Sequence, residues 1–144
     1  MRMKALVLIL LVLTVSGCVS PAWSDHDYAL KAAESAEAAA SSVELARLTV
    51  RNEDRLLAPY VKTTLTETAG ELGSVNDQFG GVQPPSDASD RLRTSLLDLT
   101  TQAEDKVQDL LIEARRDGIK DPVRAAGELE ELAGRLRELG ERLR

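Results

Sequence analysis

Cys18 is the one thiol in this chain and His26 the one imidazole. A lone thiol can act as a nucleophile, ligate a metal or carry a covalent group, and its surroundings decide among these. His26 sits between Asp25 and Asp27. Consecutive residues on a helix point in different directions, so this trio cannot converge on one ion. It reads instead as a solvated helix start, with its acids where the helix dipole favours them. No two carboxylates are set apart in the unequal environments that an acid and base pair needs. There is no phosphate-binding loop, zinc spacing or Ser–His–Asp set, and Gly80-Gly81 runs into Pro84-Pro85, not into a helix start with Lys and Ser or Thr. No catalytic residue, metal site or cofactor is expected, and the chain reads as a non-enzyme. Arg47, Arg51 and Arg55 recur every four residues. On a continuous helix they would share one face, as a dock for an anionic partner or as an ordinary solvated surface diluted by Glu44, Glu53 and Asp54.

The setting of Cys18 is more specific. Arg2 and Lys4 precede an uncharged apolar run from Leu6 to Leu13, which small residues follow. This is the layout of a secretory signal peptide, and the run is short of the roughly 20 residues needed to span a bilayer. Next come Val15-Ser16-Gly17-Cys18: an aliphatic residue, two small residues and the sole cysteine. This stretch resembles the lipobox of bacterial lipoproteins, a likeness confined to the leader and cleavage site. The resemblance implies cleavage by signal peptidase II between Gly17 and Cys18, a diacylglyceryl group on the Cys18 thiol, and an acylated N-terminus in many bacteria. Val19 in place of Asp would not signal inner-membrane retention. The expected organisation is a signal peptide over 1–17, a short tether over 18–23 and a helical domain over 24–144.

Loss of the leader leaves 127 residues and takes the formal charge from −6 to −8. That length suits one small domain. The acidic balance opposes a phosphate backbone, and the only aromatic residues are Trp23, Tyr28, Tyr60 and Phe79, too few to stack single-stranded bases. No nucleic-acid partner is expected. Trp23 lies five residues beyond Cys18 and Tyr28 five further on. Such rings favour the lipid–water boundary, so Trp23 is the candidate membrane-interface residue, its alternatives being packing on the end of the domain or simple disorder.

The elements behind the anchor read as helices. No Gly or Pro occurs between Ala22 and Ala58. Ser24 is a suitable N-cap, and Ala29, Ala36, Val43, Val50 and Leu57 repeat every seven residues beside Ala32, Ala39 and Ala46. This alanine-rich seam predicts close approach of a partner helix with little area buried per residue. Pro59 either opens a second helix or kinks a longer first one. A second seam runs Val61, Leu65, Thr68, Leu72, Val75, Phe79, and Gly80 to Pro85 is the clearest loop. A third helix is expected from near Ser86–Ser89 to Gly118, with Leu92, Leu96, Leu99, Ala103, Val107, Leu110 and Ala114 inward. Asp121-Pro122 opens a fourth carrying Ala125, Leu129, Leu132, Leu136, Leu139 and Leu143.

The fold expected is all-α: a small antiparallel bundle of three to four helices with coiled-coil-like seams, following a cleaved signal peptide. The function expected is that of a lipid-anchored extracytoplasmic lipoprotein, in the cell membrane or outer membrane. It would serve as a structural or protein-interaction module, presenting an acidic surface to a protein partner. A homo-oligomer shares the same seam pattern. The alternatives are a module binding an apolar ligand between helices and a lipid-tethered enzyme. Murein-linked lipoproteins also place heptad helices behind an acylated cysteine but attach to the wall through a C-terminal lysine. Here Gly140-Glu141-Arg142-Leu143-Arg144 offers none, so no covalent wall attachment is expected.

Overall fold

Ser24 opens the first helix as its composition predicts. Its hydroxyl accepts from the Asp27 amide at 3.1 Å, satisfying one of the donors a helix N-terminus leaves free. Ser86 and Asp121 do the same for the Ser89 and Arg124 amides, at 3.2 and 3.0 Å. The computed structural model describes residues 22–144, and there the chain forms α1 (Asp25–Arg51), α2 (Ala58–Gly80), α3 (Asp87–Arg116) and α4 (Pro122–Arg142), with a 3-10 turn over Glu53–Arg55. No strand occurs among the described residues. Pro122 stands in the first turn of α4, where its missing N–H costs nothing. Between α3 and α4 the chain turns at Gly118, whose φ of 89° lies in the left-handed region.

The first helix ends sooner than its uninterrupted sequence predicts. It stops at Arg51, and Asn52 closes it by donating its side-chain amide to the Leu48 carbonyl at 2.8 Å. Leu57, placed on the seam by its spacing, is 79% exposed in the turn. Leu56 takes the inward position instead and packs on the core. The physical reason is tertiary. An antiparallel return requires a turn here: Leu56 and Leu57 are extended, and Pro59 stands in the first turn of α2, where its missing N–H costs nothing. Pro59 therefore opens the second helix and kinks none.

Helix α1 packs against all three others, α2 against α3, and α3 against α4. The registers are antiparallel between chain neighbours. Ser42 donates to Glu71 at 2.8 Å across α1 and α2, Asn76 to Glu104 at 3.0 Å across α2 and α3, and Lys106 pairs with Glu128 across α3 and α4. Arg137–Glu44 at 3.4 Å and Arg144–Glu37 set α4 antiparallel to α1. The seam residues Ala32, Ala36, Val43, Leu65, Leu72, Leu96, Val107, Leu129 and Leu136 are fully buried. The alanine seam works through proximity. A Cβ added at Gly140 would lie 3.4 Å from the Ala33 carbonyl and 3.6 Å from the Ala36 methyl. Backbones this close recover in dispersion contacts some of what small side chains forgo in buried area.

Candidate functional site

The bundle has two chemically different ends, because antiparallel helices bring alternate connections together. One end collects the start of α1, the α2–α3 loop and the start of α3. It is the end at which the described chain begins; Cys18, with Gly17 and the rest of the Val15-Ser16-Gly17-Cys18 stretch, lies outside the described residues. The other end collects the α1–α2 and α3–α4 turns, joined where the Ile119 amide donates to Glu53 at 3.3 Å.

At the first end, Asp25, His26 and Asp27 do not converge. His26 is exposed and Asp27 accepts from the Ser24 hydroxyl at 2.9 Å. Asp25 has a role that local reading missed. Its Oδ1 accepts from Ser86 Oγ at 2.5 Å and from Ser89 Oγ at 2.6 Å, tying the start of α1 to the start of α3. These bonds, Ser86 first, hold the Asp25 carboxyl below its ordinary range. The signal available in the sequence was Ser86 as an N-cap with a hydroxyl proton to spare, but nothing local pairs it with a residue 61 positions earlier. Among the described residues no cluster of His, Cys, Asp or Glu could hold a metal ion.

The aromatic residues part company. Trp23 is 84% exposed, so it does not pack on the bundle end. Tyr28 is fully buried and belongs to the core. Its ring lies 5.1 Å from that of Phe79, tilted by 53°, and its hydroxyl points to the Val82 carbonyl at 3.4 Å. The arginine row is also divided. Arg47 is half-buried against Glu44 at 2.6 Å, Arg51 ends α1, and Arg55 sits in the 3-10 turn. With the helix ended at Arg51, these three cannot form one continuous face.

The surface depressions are shallow. One of about 200 Å³ lies between α1 and α4 over Ala33, Ala40 and Gly140, edged by Glu37, Arg137 and Arg144. Another of about 220 Å³ lies at the far end over Leu56, Ala58, Val61 and Ala114, edged by Glu53 and Asp54. Both open to solvent.

Acid should weaken this bundle. Glu44 and Glu128, like Asp25, are held below their ordinary range, chiefly by hydrogen bonds from Arg47 and Lys106 respectively. A carboxyl depressed in the folded state binds fewer protons than in the unfolded chain. Its contribution is complete above the unfolded value, near pH 4, and is lost as pH falls through the folded one. The melting temperature should therefore drop from pH 7 to about pH 3, and the drop should shrink in a Ser86→Ala/Ser89→Ala variant. A melting temperature that rises on acidification would contradict the assignment.

No helix of the described residues is long and apolar enough to cross a membrane. Comparison with known proteins finds no matching family model, no similar curated protein and no similar solved structure.

Proposed function

We propose that this chain is a lipid-anchored extracytoplasmic lipoprotein of a bacterial membrane, and that its bundle is a structural or protein-interaction module at the cell envelope. The observation that carries this reading is the register of Val15-Ser16-Gly17-Cys18 with the apolar leader before it and the helical domain after it. A sole cysteine at that point is the acceptor of a lipid, and two or more acyl chains give stable anchoring at about 0.8 kcal/mol per buried methylene. Six residues separate Cys18 from Asp25, a tether of at most about 25 Å. The bundle would stand with the start of α1 toward the membrane and Trp23, widely exposed on the tether, at the headgroup level. The continuous core of buried side chains drawn from all four helices supports an interaction role over carriage of an apolar ligand. Tethering raises the effective concentration of the module near other membrane components.

The test is the Cys18→Ala variant in a bacterial host, examined by intact mass and membrane fractionation. The parent protein should appear in membranes without residues 1–17 and with added acyl mass. The variant should carry no acyl mass, and should either retain its leader or leave the membrane. If parent and variant share one mass, apart from the substitution, and one partition, the lipoprotein reading fails.

A further inference from the structure

The turn between α3 and α4 holds a dipeptide with chemistry of its own. Asp117-Gly118 is the one place in the chain where Asp or Asn precedes Gly. Glycine has no side chain to shield its nitrogen, so that nitrogen can reach the carboxyl before it. Both residues are exposed. A Cβ built on Gly118 would meet nothing within 4 Å, and its φ of 89° is one that residues with a Cβ rarely adopt. The Asp117 carboxylate makes no hydrogen bond or ion pair among the described residues.

Around Gly118 the backbone is pinned. The Asp117 amide donates to the Glu113 carbonyl at 3.2 Å. The Ile119 amide donates to the Glu53 carboxylate at 3.3 Å, and the Lys120 amide to the Glu113 carboxylate at 3.0 Å. Of these successive amides, that of Gly118 alone has no acceptor among the described residues. The turn therefore leaves one free nitrogen next to one free carboxyl. It also holds the two apart. Asp117 has a ψ of 9°, which turns the Gly118 nitrogen away from Cβ and the carboxyl it carries. Closing a ring between them needs a large rotation about the Asp117 Cα–C bond. That rotation would drag Ile119 and Lys120 off the carboxylates that hold them.

We propose that Asp117 is a site of spontaneous backbone isomerisation, and that Glu53, reaching across from the other turn, is the positioning residue that gates it. The Gly118 nitrogen bonds to Asp117 Cγ, and the carboxyl hydroxyl leaves with the amide proton as water. A second water opens the five-membered imide that results. Breaking its bond from nitrogen to Cγ restores Asp117. Breaking its bond from nitrogen to the former backbone carbonyl leaves the chain running through Cβ and Cγ. The step needs no oxidant, reductant or enzyme. The isomerised chain has one more carbon in its backbone, about 1.5 Å of added length, between the end of α3 and Ile119, which is 6% exposed. That length must displace Ile119 or break its bond to Glu53, so the modification loosens the joint between the two turns. The inference is independent of the anchored reading.

The experiment incubates the purified full chain in neutral buffer made with oxygen-18 water, digests it in ordinary water and sequences the peptides by mass spectrometry. Each opening of the imide leaves one heavy oxygen at Asp117, and the isomerised peptide separates from the aspartyl one on chromatography. A synthetic peptide copying residues 115–120 gives the unrestrained rate. The parent should label Asp117 more slowly than the peptide does. Glu53→Ala should label it about tenfold faster than the parent, through loss of a hydrogen bond to a charged acceptor and easier local opening. Glu53→Gln, which keeps an acceptor, should stay near the parent. Glu113→Ala, which frees the Lys120 amide, should act in the same direction as Glu53→Ala. Leu129→Ala, which empties core away from this turn, should lower the melting temperature without that gain. The proposal is overturned by equal rates in parent and peptide or in parent and Glu53→Ala. A gain in Leu129→Ala as large as in Glu53→Ala, or no heavy oxygen at Asp117 in any variant, overturns it as well.

Discussion

Replacing Tyr28 with alanine should destabilise the bundle by about 3–5 kcal/mol, the range for emptying a buried aromatic site. In a domain of this size the melting temperature would fall on the order of 10–20 °C. Tyr28 is the largest fully buried side chain and stands where the start of α1, the end of α2 and the loop at Val82 meet. Its removal would leave a void beside Phe79, which is itself 2% exposed. The Tyr28→Phe variant isolates the ring from the hydroxyl. The hydroxyl's bond to the Val82 carbonyl is long at 3.4 Å, so its loss should cost no more than about 1 kcal/mol. Chemical denaturation of both variants checks this. Equal losses would mean that the hydrogen bond, and not the ring packing, organises this end.

Gly140→Leu should separate α1 from α4 and cost about 1–3 kcal/mol or more. A first added carbon already lies in contact with Ala33 and Ala36, at 3.4 and 3.6 Å. Leucine brings three more carbons into a seam whose opposite wall is α1 backbone and alanine. The helices must move apart, taking Arg137 from Glu44 and Arg144 from Glu37. Those exposed pairs add little themselves, so the loss would come from the seam. Gly140→Ala is the control. Its methyl fits at contact distance, and alanine favours helix by up to about 1 kcal/mol over glycine, so stability should hold or rise. A Gly140→Leu protein that unfolds at the parent's denaturant midpoint would show that the seam is not tightly packed.

Much of the fold was legible because its signals are local. Ser24, Ser86 and Asp121 cap helices through amides three residues on. Pro59 and Pro122 occupy first turns, where their missing N–H is free of cost. The inward residues follow from helical repeat. What was missed depends on partners distant in the chain. The heptad row placed Leu57 inside, yet the turn turned it out and drew Leu56 in. Tyr28 has the chemistry of an interfacial ring, but only the packing of α2 against α1 brings Phe79 onto it. Asp25 looked like a dipole-favoured helix start; that it also ties α1 to α3 depends on Ser86 and Ser89, 61 and 64 residues away.

The candidate sites divide in the same way. Cys18 stands out by sequence alone, since its likeness to a leader and cleavage motif is read along the linear chain. The arginine row did not survive folding, because Arg47, Arg51 and Arg55 require one uninterrupted helix and the chain turns at Asn52. That the two turns lie at one end of the bundle could not be seen at all from composition. An overall charge of −6 implies an acidic surface to meet a partner, whereas the two turns gather exposed apolar groups from segments about 60 residues apart.

The sequence by itself determined that this protein is helical and where most helices begin, and the proposal of a lipid on Cys18 rests on it alone. Each of those rests on interactions within a few residues or on a motif read along the chain. Tertiary structure decided where the first helix stops, which aromatic residue is core and which is free, and that the start of α1 is tied to the start of α3. These follow from the pairing of distant segments, where close packing and shared hydrogen bonds outweigh local preference.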